Sequence, residues 1–117
     1  QQIVLNLVVN ARDAMAEGGT IRISTEESFV CERDGIDLEP GRYLVLRVGD
    51  TGPGIPEALM ERIFDPFFTT KAASGGSGLG LATCAGIARR AGGRIVVRNE
   101  ADGGACFTTY LPIANLL

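Results

Sequence analysis

Asn6-Leu7-Val8-Val9-Asn10-Ala11-Arg12-Asp13 is the stretch on which the fold reading turns. A helical period puts Asn6, Asn10 and Asp13 at i, i+4 and i+7 on one face, beside an apolar stripe of Ile3, Leu7, Ala11 and Ala14. Such a helix buries its stripe in a core and presents carboxamides and a carboxylate on the adjoining face. That face suits a polar ligand, and read alone it equally suits water.

The helical pattern runs from about Gln1 to Met15 or Ala16 and stops at Gly18-Gly19. It starts with no initiator Met and no capping residue before it, so the chain reads as a piece of a longer protein, truncated on its N-terminal side. Downstream, Thr20 to Thr25 alternates Ile21 and Ile23 with polar neighbours, and Arg42 to Val48 is rich in β formers. Residues 28–41, with Asp34-Gly35 and Pro40-Gly41, read as an exposed connection or a long hairpin. A short helix is expected over Glu57 to Arg62 after Pro56, then an aperiodic loop over Phe64 to Ser77 anchored by Phe64, Phe67 and Phe68. A helix from about Gly78 to Gly92-Gly93 and two strands, Arg94 to Arg98 and Ala105 to Leu111, complete the pattern. The fold class this order implies is α+β: a two-layer α/β sandwich, with a mixed, mainly antiparallel sheet covered on one face by helices.

A chain of 117 residues with 45% hydrophobic content is one domain's worth of sequence, 1–117, with a single core. A net charge of −3 and the lack of a clustered basic face argue against nucleic acid as a partner. Three cysteines, Cys31, Cys84 and Cys106, share no CxxC spacing and no histidine exists to complete a mixed zinc site, so they read as reduced thiols. No apolar run approaches the roughly 20 residues that cross a bilayer, and the segment is expected in the cytoplasm.

Asp50-Thr-Gly-Pro-Gly54 follows directly on an expected strand. A carboxylate at a strand end accepts a hydrogen bond from an exocyclic amine, and Gly52 and Gly54 permit close approach of backbone to a ligand. Taken alone the segment reads as an ordinary Asp/Gly/Pro turn, and only its company points to a ligand. Gly76-Ser-Gly-Leu-Gly80-Leu81 leads into a helix, whose N-terminal N–H groups attract phosphate, but it matches neither a Walker A loop nor the dinucleotide spacing. Asn10 offers a carboxamide oxygen of the hard kind that Mg²⁺ takes beside substrate phosphates, and Lys71 offers a charge to a terminal phosphate.

These elements, in this order, resemble the ATP-binding catalytic domain of bacterial sensor histidine kinases, in the superfamily shared with DNA gyrase B, heat-shock chaperone and mismatch-repair ATPases. Asn6 to Met15 is similar to the asparagine box, Asp50 to Gly54 to the first glycine box, Phe64 to Lys71 to the phenylalanine box, and Gly76 to Leu81 to the second glycine box. The resemblance covers essentially the whole chain. It implies the α/β sandwich of that superfamily, with ATP and Mg²⁺ as cofactors. It also implies Asn10 as the metal ligand, Asp50 as the adenine anchor, Gly54 as a backbone contact at the base, and Gly78 and Gly80 as the phosphate cradle. Residues 65–80, with Lys71, become a mobile ATP lid, and Asn6, Asn10 and Lys71 the catalytic set. Gly52, Ile55, Phe64, Thr70, Gly76, Ser77, Leu79, Leu81 and Thr108 join the cofactor-binding set. Asp13 stands where some members carry a phosphate-contacting lysine, so it is expected to bind water or order the site, with Arg12.

One departure bears on mechanism. ATP-hydrolysing relatives place a glutamate four residues before the metal-binding asparagine, and here that residue is Asn6, which cannot act as a general base. The implied chemistry is transfer of the γ-phosphoryl group to a histidine. The chain has no histidine, so the acceptor is expected on an upstream dimerisation domain of a homodimeric parent, with a response regulator downstream, and this chain alone is expected not to autophosphorylate. A second departure is Ala105, where the family often has threonine near the adenine, with Thr108 or Thr109 as the nearby replacements. Together with the small-residue run Ala72 to Gly76, it motivates an alternative function: a nucleotide-sensing or scaffolding module without transfer activity.

Overall fold

The computed structural model describes residues 2–15, 17–31, 38–66, 80–101 and 103–113. Its elements are helix α1 (Gln2–Ala14), strands β1 (Ile21–Val30) and β2 (Gly41–Asp50), helix α2 (Gly80–Arg90), and strands β3 (Arg94–Asn99) and β4 (Ala105–Pro112). The strands form one sheet in the order β1-β2-β4-β3. Every described pairing in it is antiparallel, so the mixed component expected from the sequence is not among these strands.

Alternation along β2 and β4 divides the sheet into two faces. Leu46, Val48, Ala105, Phe107 and Ile95 point to the side where α1 contributes Ile3 and Leu7 and α2 contributes Cys84, and this is the main core. Helix α1 lies chiefly on β1 and β2, and α2 on β3 and β4. Leu7 is fully buried, as the apolar stripe of α1 predicts. On the opposite face Val30, Tyr43 and Val45 make a smaller cluster, roofed by Leu38 and by Tyr110, whose ring meets Tyr43 edge-on at 6.4 Å. Tyr43 Oη donates to the Glu39 carbonyl at 2.7 Å, and burial pushes its phenol above the usual range, with Glu39 adding to the shift.

Strand β1 is longer than its sequence suggests. It runs to Val30, through residues that read as a connection, because Glu26, Glu27, Ser28 and Phe29 pair with Val45, Leu44, Tyr43 and Arg42 of β2. Cross-strand ion pairs join Glu26 to Arg47 and Glu27 to Arg42. Between its two ends, over Arg22–Glu27, both faces of this strand meet water and need no apolar alternation, so the polar stretch is silent to a periodicity reading. Its charges also discourage pairing with another chain at the open edge.

The short helix expected over 57–62 is a 3-10 turn, Glu57–Leu59, continued by further i→i+3 bonds, Arg62 N to Leu59 O and Asp65 N to Arg62 O. Helix α2 closes with Gly93 N donating to Ala88 O at 2.8 Å and Gly92 N to Arg89 O at 3.0 Å, the paired bonds of a Schellman stop. Its described start is Gly80, and the expected residues Gly78 and Leu79 lie outside the described ones.

Thr109 sits on the core face at 0% exposure, and its hydroxyl has no hydrogen-bond partner among the described residues. Thr109→Val is therefore expected to leave urea stability unchanged or raise it by up to about 1 kcal/mol. Leu7→Ala, which empties the centre of the same core, is expected to cost about 2–5 kcal/mol in the same unfolding measurement.

Candidate nucleotide site

Asp50 is the last residue of β2 and lies on the helix-covered face, with 6% of its surface exposed. Its Oδ1 accepts from Gly52 N at 2.9 Å, closing a tight turn, and from Ala105 N at 3.3 Å at the start of β4. Both hydrogen bonds fall on one oxygen. Among the described residues Oδ2 has no hydrogen-bond donor, and a second oxygen of this kind is what an amine-reading carboxylate needs.

The loop after Asp50 is tied down on both sides. Thr51 Oγ1 accepts from Thr20 N at 2.9 Å and contacts Met15 Sδ at 3.6 Å, linking the loop to the end of α1 and the approach to β1. Ile55 is held by Asn99, at the end of β3, through Ile55 N to Asn99 Oδ1 and Asn99 Nδ2 to Ile55 O, each 2.8 Å. Gly54 takes φ +81°, and a Cβ there would stand 2.8 Å from Asn99 Oδ1. Gly52, the other glycine of this loop, is not among those with positive φ. Gly104, φ +87°, packs so tightly that a Cβ would fall on the Asp50 carbonyl oxygen. The 50–55 loop and the β3–β4 turn are thus fitted to each other through bare backbone.

Helix α1 brings its polar face to the start of α2. Asn6 Nδ2 donates to the Gly80 carbonyl at 3.4 Å, and the Cys84 thiol, wholly buried, lies against Ile3 O at 3.9 Å. Burial pushes the Cys84 thiol up, and a hydrogen bond from Asn6 opposes the shift. Asn10 is half-buried one turn further along α1. Asp13 is exposed and takes hydrogen bonds from Arg12 at 3.3 and 3.4 Å, an exposed pair of small energetic value. No cluster of three or more His, Cys, Asp or Glu that would hold a metal is found among the described residues. One carboxamide oxygen from the protein suits Mg²⁺, which keeps several waters and takes further oxygens from nucleotide phosphates.

Other predicted residues divide as follows. Ile55, Phe64 and Leu81 are half-buried against the main core, and Phe64 meets Phe107 edge-on at 6.2 Å. Gly80 is exposed at the first position of α2. Thr108 pairs with Arg47, its hydroxyl lies 3.9 Å from Cys106 Sγ, and both face away from the side that carries Asp50. Thr109 is the threonine on Asp50's face, because it pairs with Leu46. Lys71, Thr70, Gly76, Ser77, Gly78 and Leu79, and with them most of the expected lid, lie outside the described residues.

Sequence reasoning missed Asn99 and Thr51, and it undervalued Ala105. Ala105 was marked for the hydroxyl it lacks, yet its contribution is its backbone N–H. A cleft of about 300 Å³ between α2 and β3, lined by Phe64, Ala85, Arg89, Gly93, Arg94 and Ile95, shares only Phe64 with the predicted set.

The model of the family described as histidine kinase-, DNA gyrase B-, and HSP90-like ATPase matches residues 1–115. Sensor kinase CckA of Brucella abortus is 44% identical over 115 residues, which is 96% of this chain and 12% of that protein. The catalytic domain of histidine kinase ThkA, solved nucleotide-free, superposes with a TM-score of 0.74 at 38% identity, covering 95% of this chain and 64% of that one. Full-length ShkA, solved with AMPPNP, gives a TM-score of 0.72 at 32% identity, covering 95% of this chain and 20% of that one. The chain thus spans only a small part of the full-length proteins it matches.

The fit between Gly104 and Asp50 can be isolated by comparison with its neighbour. At Gly103, φ +105° with open space around it, alanine adds backbone strain alone, about 1–2 kcal/mol. Gly104→Ala is expected to cost about 3 kcal/mol or more in chemical denaturation, because it adds a collision with the Asp50 backbone.

Proposed function

The chain belongs to the histidine kinase-, DNA gyrase B-, and HSP90-like ATPase family, and on that premise we propose that it binds Mg-ATP as the catalytic domain of a sensor histidine kinase. The observation that carries this reading is Asp50, a carboxylate fixed through one oxygen and left with the other for a ligand. The exocyclic amine of adenine donates to that oxygen, while Gly54 and Ile55 let the base approach the backbone. The solution of a relative with AMPPNP adds support for a nucleotide ligand.

Asn10 is the residue that would hold Mg²⁺, through its carboxamide oxygen. The ion supplies charge neutralisation at the triphosphate. Lys71 adds a positive charge at the γ-phosphate, and Gly78 and Gly80 offer backbone N–H groups to phosphate. The reaction moves the γ-phosphoryl group to an imidazole nitrogen: an N–P bond forms, the bond between γ-phosphorus and the β–γ bridging oxygen breaks, and ADP leaves. What this chain does is position and stabilise charge, since Asn6 offers no carboxylate to activate water.

No histidine is present in the 117 residues, so the acceptor histidine is supplied by a dimerisation domain of the same protein. An aspartate of a response regulator then receives the phosphoryl group. No helix among the described residues is long and apolar enough to cross a membrane, and the proposed site of action is the cytoplasm, on a homodimeric parent. A reading as a nucleotide sensor or scaffold draws on Ala105, whose methyl group offers no hydroxyl at the base.

Calorimetric titration of ATP separates these readings. Wild type is expected to bind, Asp50→Ala to lose binding, and a supplied cognate dimerisation domain to become phosphorylated on histidine. Binding without transfer favours the sensor reading, and no wild-type binding removes the ATP reading. For the metal, Asn10→Ala is expected to weaken binding at least tenfold in Mg²⁺ and to leave affinity in EDTA unchanged. An equal loss under both conditions would take the metal role away from Asn10.

A further inference from the structure

We propose that Asn99 is a positioning residue for the nucleotide base: its carboxamide, bonded at both ends to the backbone of Ile55, sets the path of the 50–55 loop and with it the preference for adenine. The proposal rests on the reading of Asp50 as the anchor of an ATP site.

Ile55 lies outside every strand, between Gly54 and Pro56, and Pro56 has no N–H to offer a turn. Its own N–H and C=O would otherwise be left to water. Asn99 takes both, accepting from Ile55 N and donating to Ile55 O, each at 2.8 Å, so the side chain pairs with the loop as a strand would. A planar amide with one acceptor and one donor side by side is needed for this. Among side chains of this length only asparagine has it, since aspartate accepts only and serine has a single oxygen.

The contact is also tight in a way that concerns the loop rather than the core. Gly54 stands where a Cβ would be 2.8 Å from Asn99 Oδ1 and 3.4 Å from the Gly104 carbonyl oxygen, so the loop runs directly beneath the amide. Asn99 itself is exposed, and burying apolar surface is not its task. The same loop ends in the Asp50–Gly52 turn that fixes Asp50 Oδ1. Shifting Ile55 therefore pulls on the Gly52 N–H that Asp50 Oδ1 accepts, while Ala105 N–H still holds that oxygen, and it moves the Gly54–Ile55 backbone that the base approaches. Asn10 and Gly80, the described residues proposed at the phosphate end, are carried on α1 and α2 and not on this loop.

This division makes a specific expectation. Asn99→Asp keeps the shape but removes the donor and sets an oxygen against the Ile55 carbonyl, and Asn99→Ser removes most of the reach. In titrations of the 117-residue chain with ATP and with GTP, both variants should lose about tenfold or more in ATP affinity and little in GTP affinity, narrowing the ATP:GTP preference. Melting temperatures should stay within about 4 °C of wild type, as for an exposed position. Wild-type ATP affinity and wild-type preference in Asn99→Asp would overturn the proposal. So would parallel loss of both nucleotides together with a large fall in melting temperature, which assigns Asn99 to stability alone. A wild-type chain that binds no ATP would remove the site reading itself, and is distinguishable because the variants are then not needed.

Discussion

A carboxyl group with 6% of its surface exposed has to be supplied with hydrogen bonds, and the way Asp50 obtains them organises this end of the molecule. One donor, Gly52 N, is two residues away and forces the chain to turn at once as it leaves β2. The other, Ala105 N, is 55 residues away and requires the start of β4 to lie beside the end of β2. The central pairing of the sheet, Gly49 with Cys106 and Val48 with Phe107, delivers it there. Gly104 completes the fit by letting backbone pass against the Asp50 carbonyl with no side chain between. Register, turn and glycine placement are thus parts of one constraint, and the site is rigid because three segments converge on one oxygen and its neighbours.

The helix-covered layer answers to the same geometry. Ile3 and Leu7 bury the inner stripe of α1, and this orients Asn6, on the next face, toward the start of α2. Cys84 fills the space between the helices and is wholly buried there, which accounts for its thiol being harder to ionise. Met15 and Thr20 then bring the chain past Thr51, so the end of α1 is joined to the same loop that Asp50 begins.

Much of this was legible in the chain because its signals are local. The stripe of α1 follows a 3.6 period, and the alternation of β2 and β4 follows a period of two, since each has one face in the core. The far half of strand β1 is not legible in sequence, because an edge strand with Glu26, Glu27 and Ser28 carries no such period; its length is set by the partner, β2. The choice between Thr108 and Thr109 was undecidable without pairing. Alternation says that they face opposite ways, but only the register with Leu46 and Arg47 says which one shares Asp50's side. Asn99 was invisible for the same reason, as its partner Ile55 is 44 residues away and is met through backbone atoms that leave no mark in sequence.

Asn6 joins the structural and the chemical arguments. Its Nδ2 donates to the Gly80 carbonyl at 3.4 Å, at the first turn of α2. Glutamate at this position, the residue that activates water in the hydrolysing relatives, has no proton to donate when ionised and would set its charge against that carbonyl oxygen. The contact between the helices therefore favours a donor at position 6, and a donor there is a poor general base. The group that ties α1 to the start of α2 is thus one that cannot take a proton from water.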